Sequence, residues 1–181
     1  VTADGYNFFI EQNNLQDKIE KKLENLDISD IKQLQNIGEK IRKLILNSTM
    51  PNALYSEIIE AYNQLADQYG VKNLDVAVRS SGTAEDLPDA SFAGQQETFL
   101  NVQGEKELLE KVRECFASLF TNRAISYRVD KGFDHFSVYL SVGIQKMVRS
   151  DMACSGVMFS IDTESGFKDA VFVTGAWGLG E

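Results

Sequence analysis

Arg79 stands where a short apolar run, Val76-Ala77-Val78, gives way to Ser80-Ser81-Gly82, and that order of residue types suits a polyphosphate. An arginine carries a permanent positive charge in a fork of donors that matches phosphate oxygens. Small and hydroxyl-bearing residues beside it let backbone N–H groups approach an anion closely. The stretch from Gly82 to Gln96 is polar and small, with Gly82, Pro88 and Gly94 as punctuation, before a second apolar run over Glu97–Val102. Connections between neighbouring elements usually take about 4–6 residues, and longer irregular ones are commonly functional. The loop by itself also fits an ordered surface segment in which Arg79 pairs with Asp86 or Glu85, and its residue types leave both readings open. A second group of interest is Gln145 with Met147 beside it. An amide with both donor and acceptor next to a polarizable side chain suits the edge of an adenine, although a glutamine near a strand end is as readily just exposed.

These residues need elements to carry them. Val76 and Val78 alternate against Ala77 and Arg79, which predicts a strand, and Glu97–Val102 predicts another. From Phe136 the period is again two: Phe136, Val138, Leu140, Val142, Ile144 and Val148 share one face, while Tyr139, Ser141, Gly143, Gln145 and Met147 share the other. Two more strands are expected over Gly156–Ile161 and Ala170–Thr174, joined by the turn-like Asp162–Lys168. Ahead of the sheet, four helical segments lie within residues 1–70. Thr2 caps the first, with Tyr6, Phe9 and Ile10 on one face, and Asn13-Asn14 breaks it. The second runs from about Leu15 to Leu26. Ser29 or Asp30 opens the third, with Ile31, Leu34, Ile37, Ile41 and Leu44 at helical spacing. Pro51 falls at the start of the fourth, whose stripe is Leu54, Ile58, Tyr62, Leu65 and Tyr69, and Gly70 ends it. These amphipathic stripes read as core packing, without chemistry of their own. Glu105–Tyr127 reads as one long packing helix. Arg113, Arg123 and Arg128 are read as ion-paired with nearby carboxylates, and His135, the single histidine, as a solvated loop residue.

The bulk numbers set outer limits. The chain has 181 residues, enough for one domain or two small lobes, with 43% hydrophobic and 25% charged residues, as in an ordinary globular protein. A net charge of −9 argues against nucleic acid or an anionic membrane as a partner. No apolar run approaches the roughly 20 residues of a membrane span, and VTADGYNFF lacks the basic flank and cleavage site of a secretory signal. Cys115 and Cys154 form no metal spacing and read as buried free thiols, so a cytoplasmic location is expected.

The wording of the central run sharpens the reading. Val76–Val102 (VAVRSSGTAEDLPDASFAGQQETFLNV) resembles, nearly residue for residue, the nucleotide-binding domain of the phosphoenolpyruvate synthase (pyruvate, water dikinase) family. The resemblance continues through Glu114–Arg128 (ECFASLFTNRAISYR), Ile144–Ser150 (IQKMVRS), Ser155–Gly166 (SGVMFSIDTESG) and Ala176–Glu181 (AWGLGE). It implies an α+β fold, an ATP-grasp-like nucleotide-binding domain of which part is present, with a helical N-terminal segment and a mostly antiparallel sheet. Residues 1–145 would form the first lobe, with helices in 1–70, sheet and phosphate loop in 75–102 and a long helix over 105–127. Residues 146–181 would begin a second.

By position in the family's motifs, Arg79 would contact the phosphates in the catalytic site. The loop centred on Asp89–Gly94, with Asp89, Ala90, Ser91 and Gly94, would cover them, and Thr98 would add a polar contact to the nucleotide. Gln145, Met147 and Val148 would lie by the adenine; Gln95, Gln96 and Glu97 are second-rank candidates. The implied cofactors are ATP and Mg²⁺. The implied partners are the phosphohistidine and pyruvate-binding domains of the same polypeptide, and a homodimer is compatible with the reading. The implied reaction turns ATP, pyruvate and water into AMP, phosphoenolpyruvate and phosphate through that phosphohistidine. The family's glycine-rich segment with its lysine would precede Val1, and its metal-side carboxylate would follow Glu181, so these residues alone are expected to bind ATP weakly and not to turn over pyruvate. Two alternatives stand beside this reading: a related dikinase of the rifampin phosphotransferase or glucan water dikinase type, and a non-catalytic nucleotide-binding module.

Overall fold

The computed structural model describes residues 1–82 and 97–179, and residues 86–87 and 90–91 as strand backbone. The chain divides into two compact units, Val1–Lys146 and Met147–Glu181.

In the first unit, α1 (Ala3–Gln12) is capped by the Thr2 hydroxyl, which accepts from the Gly5 N–H, and it buries Tyr6, Phe9 and Ile10. Asn14 adopts the left-handed conformation, φ 50°, that turns the chain into α2 (Leu15–Leu23). Asp30 caps α3 (Ile31–Leu46) by accepting from Lys32 and Gln33. Its buried stripe is Leu34, Gly38, Ile41 and Ile45, whereas Ile31 is 67% exposed. Pro51 sits at the cap of α4 (Asn52–Gln68), one residue ahead of the helix, and Gly70 takes φ +64° just beyond it. The α4 stripe continues through Ile59 and Ala66, and Tyr69 is left 52% exposed with the Lys146 ammonium over its ring.

The sheet is antiparallel, in the order β4 (Thr98–Val102), β1 (Val76–Gly82), β5 (Leu140–Lys146). A separate two-stranded ladder joins β2 (Asp86–Leu87) to β3 (Ala90–Ser91). Val76, Val78, Val102, Leu140 and Val142 enter one core with Leu108, Val112, Cys115 and Phe116 of α5 (Gly104–Ser118). Tyr62 stitches the helical and sheet layers: its hydroxyl donates to the Leu74 carbonyl and accepts from the Gly104 N–H.

The long helix expected over Glu105–Tyr127 is two helices, α5 and α6 (Asn122–Lys131). Thr121 makes the break, with an extended backbone and a side chain that accepts from the Ala124 N–H. A break leaves carbonyls without helical partners. Those of Leu119 and Phe120 are taken up by guanidinium groups: Arg128 Nη2 donates to Leu119 at 2.5 Å and Arg42 Nη1 to Phe120 at 2.8 Å. Arg128 is therefore an internal fastener, 0% exposed, where an ion pair was expected. Its Nε donates to His135 Nδ1 at 3.0 Å, its charge lies over the Phe120 ring, and its Nη1 has no partner among the described residues. Burial lowers its pKa to about 10, which leaves it charged at neutral pH. His135 is accordingly no solvated loop residue. Burial and the adjacent Arg128 charge push it down to about 4, so it serves as a neutral acceptor.

The period-two segment from Phe136 becomes regular strand only at Leu140, because Asp134 ties the preceding residues into a turn through the Phe136 N–H and the Ser137 hydroxyl. In the second unit a 3₁₀ turn, Ser150–Met152, leads to β6 (Cys154–Phe159), which pairs antiparallel with β7 (Phe172–Trp177). Both strands lie two residues or so from their expected bounds, since each is apolar on both faces and alternation does not fix the ends. Cys115 is buried and its thiol is pushed up to about 12, chiefly by burial, whereas Cys154 is exposed, contrary to expectation.

Candidate functional site

β1 is the central strand, and its first three residues, Val76-Ala77-Val78, are buried. From Arg79 onward the strand emerges from the core while still paired on both sides. Arg79 stands opposite Thr98 on β4 and Gly143 on β5, and Ala77 stands opposite Gln145. Paired residues of antiparallel strands project from the same side, and so do residues two apart on one strand. Arg79, Thr98 and Gln145 thus share one face of the sheet. All three are exposed. Val76, Val78, Val142 and Ile144 project from the other face into the core, against α5 and α1.

A bulge keeps this sorting intact on β4. Between Val76↔Val102 and Val78↔Phe99 one residue of β1 faces two of β4, and Asn101 absorbs the extra residue at φ 58°. Without it Val102 would share the side of Thr98. With it, Phe99 and Val102 both turn inward, and Thr98 and Leu100 stay on the open face.

The base of the connection between β1 and β4 is clasped. Ser80 Oγ accepts from the Glu97 N–H at 3.0 Å and donates to the Glu97 carbonyl at 3.1 Å, and the Ser80 N–H donates to the same carbonyl. Both ends of the loop therefore leave from one point beside Arg79 and Thr98. Sequence reading took Ser80 only as a small hydroxyl residue beside Arg79 and missed this clasp; its position at the foot of the loop was the available signal.

Among the described residues no ion pair engages Arg79. Glu85 and the side chain of Asp86, its suggested partners, lie outside the described residues, as do Asp89, Gly94, Gln95 and Gln96. Ala90 and Ser91 are described as the backbone of β3, paired with Leu87 and Asp86. Met147 and Val148 fall in the second unit, Met147 half-buried and Val148 79% exposed. The structure brings together Arg79, Thr98 and Gln145.

What this face can do follows from its groups. A guanidinium fork offers several donors to phosphate oxygens, a threonine hydroxyl donates and accepts, and a primary amide reads a donor–acceptor edge. Hollows elsewhere suit an anion less well. One of about 530 Å³ between α1 and α4 is lined by Phe8, Leu54, Ile58 and Leu65, and its charged side chains Asp4 and Glu57 are negative, which repels a polyphosphate. Among the described residues no group of three or more His, Cys, Asp or Glu side chains is placed to hold a metal ion.

Comparison with known proteins identifies the family. The phosphoenolpyruvate synthase of Helicobacter pylori is 57% identical over 181 residues, all of this chain and 22% of that protein. The phosphoenolpyruvate synthase of Aquifex aeolicus is 58% identical, again over the whole chain and 21% of the relative. That of Escherichia coli is 57% identical over 182 residues and 23% of its length. The chain thus spans somewhat more than a fifth of the length of these curated relatives. The family described as pyruvate phosphate dikinase, AMP/ATP-binding domain, matches residues 1–181. With that match running from end to end, the chain belongs to the pyruvate phosphate dikinase AMP/ATP-binding domain family.

Proposed function

We propose that this chain is the ATP-binding part of a pyruvate, water dikinase, which passes phosphoryl groups from ATP through a phosphohistidine on another domain to pyruvate, giving phosphoenolpyruvate, AMP and phosphate. The observation that carries the reading is the register that sets Arg79, Thr98 and Gln145 on one open face, in a chain whose family is named for AMP and ATP binding. On this reading Arg79 holds the phosphate chain, Thr98 hydrogen-bonds the nucleotide and Gln145 meets the adenine edge. Asp89, Ala90, Ser91 and Gly94 cover the phosphates, and Met147 and Val148 are base-side residues. The fold is ATP-grasp-like.

Phosphoryl transfer needs little covalent chemistry from the protein; positioning and electrostatic stabilisation supply most of the acceleration. Arg79 provides a permanent positive charge midway along the central strand, and the Ser80–Glu97 clasp holds together the two feet of the connection beside it. Mg²⁺ belongs to the proposal as the nucleotide's own counter-ion, since Mg²⁺ favours phosphate oxygens over all-protein cages. The same reading places the enzyme in the cytoplasm and accommodates a homodimer. No helix among the described residues is long and apolar enough to cross a membrane.

The test is product formation by the full-length protein. AMP, phosphate and phosphoenolpyruvate should form from ATP only when pyruvate is present. Arg79→Ala should weaken ATP binding by about 1.5–3 kcal/mol, the cost of a lost charged hydrogen bond, or roughly 10- to 150-fold. AMP formation that needs a different acceptor would reject pyruvate and keep the nucleotide site. Equal ATP affinity in parent and Arg79→Ala would reject the phosphate role.

A further inference from the structure

β5 carries a glycine at the one position that faces Arg79. A side chain at Gly143 would stand on the open face beside Arg79, with Cβ atoms about 4.5–5.5 Å apart, the usual spacing of directly opposed residues. Neither the backbone nor the packing of the described residues requires a glycine there. Gly143 is not among the positive-φ residues. A Cβ placed on it meets nothing among the described residues nearer than the Arg79 carbonyl oxygen at 3.8 Å, an ordinary contact. Gly156 makes the contrast, since a Cβ there would collide with the Thr174 carbonyl on the paired strand. A glycine inside a strand costs about 0.5–1 kcal/mol relative to alanine, and its remaining justification is that something approaches the backbone closely.

The register shows what would approach. Ala77 pairs with Gln145 and Arg79 with Gly143, so the four residues form a quadrilateral on one face. Gln145 and Arg79 occupy opposite corners, and the other two corners are Ala77 and Gly143, whose side chains are the smallest available. A ligand held at one end by Gln145 and at the other by Arg79 must cross that diagonal.

We propose that Gly143 is a specificity-determining position: it keeps the floor between Gln145 and Arg79 bare, so that the middle of the ligand, the sugar of a nucleotide, rests directly on the β5 backbone. This rests on the nucleotide reading of the face. It adds to that reading the claim that a side chain at 143 acts by exclusion, against the sugar and not against the phosphates.

The experiment uses Gly143→Ala and Gly143→Val in the full-length protein and reads three quantities: thermal unfolding, ATP affinity, and affinity for inorganic tripolyphosphate, which has neither sugar nor base. Both variants should unfold at the parent's temperature or above it, because a strand position gains a better strand former. ATP should bind several-fold more weakly to Gly143→Ala and at least tenfold more weakly to Gly143→Val, with tripolyphosphate affinity unchanged. ATP bound as tightly by Gly143→Val as by the parent overturns the inference while leaving the nucleotide reading intact. An equal loss of ATP and tripolyphosphate overturns it as well, because the added side chain would then be displacing Arg79. A fall in unfolding temperature in both variants would make the glycine structural and also overturn it. A parent that binds no ATP rejects the nucleotide reading itself, and this inference with it.

Discussion

Acidification from pH 7 to pH 4.5 tests the account of the α5–α6 joint. His135 Nδ1 accepts from the fully buried Arg128, and this requires a neutral ring. Its pKa in the folded protein is about 4, below the ordinary 6.5, through burial first and the Arg128 charge second, against a smaller opposing effect of Asp134. A depressed pKa contributes stability that is present above the unfolded value and is lost as pH falls through the folded one. The loss therefore runs from about pH 6.5 down to about pH 4, where the unfolded chain takes up a proton that the folded chain refuses. An unscreened shift of this size would correspond to about 3 kcal/mol at 1.36 kcal/mol per pH unit. The ring is only half-buried, and solvent screening reduces this to about 1–2 kcal/mol. The assay is urea unfolding of parent and His135→Asn at half-unit steps between pH 4.5 and pH 7.5. Asparagine keeps an acceptor near the Nδ1 position and does not titrate. Parent stability should fall by about 1–2 kcal/mol more than that of His135→Asn over this window, because the carboxylates common to both proteins cancel in the comparison. Parallel profiles would refute the reasoning, since His135 would then not be held neutral by the fold.

Three further substitutions probe how the elements are joined. Gly38→Ala in α3 should destabilise by about 1–3 kcal/mol, an overpacking cost, even though alanine is about 1 kcal/mol the better helix former; the new Cβ would run into Asn122 Oδ1 and Arg42 Nη1, and a Gly38→Ala/Asn122→Ala double variant should recover part of the loss by urea denaturation. Asn101→Gly should be neutral or slightly stabilising and Asn101→Val should cost about 1–2 kcal/mol or more, measured by thermal unfolding, because φ 58° penalises a β-branched residue. Thr121→Ala should cost about 1 kcal/mol by the same assay through loss of the α6 cap to the Ala124 N–H; no change in stability would remove the physical reason given for the break between α5 and α6.

Local chemistry made much of this protein legible in advance. Caps and breakers act over three or four residues, which is why Thr2, Asp30, Asn14 and Gly70 bound their helices as expected. Alternating hydrophobicity likewise assigned the segments opening at Val76 and at Phe136 to strands, which the fold builds as Val76–Gly82 and Leu140–Lys146, and residue type marked Arg79 and Gln145 as groups able to meet a nucleotide, to which the family resemblance added Thr98. Period and propensity say nothing about partners at long range. The continuous apolar face of Glu105–Tyr127 concealed a helix break, because Leu119 and Phe120 are apolar for the core and not for helical continuation, and their carbonyls are satisfied by Arg42 and Arg128 from elsewhere in the chain. Arg128 and His135 looked like surface groups because neither residue type reveals that a folded chain will enclose it.

The sequence by itself determined the place of most helices and strands and which side chains are chemically able to meet a phosphate or a base, because those properties belong to residues and their near neighbours. Only the tertiary structure decided that Arg79, Thr98 and Gln145 stand together. Strand order, antiparallel register and the Asn101 bulge set that parity, and these arise when distant segments close on a common core, where a slip of one residue would turn every side chain to the opposite face.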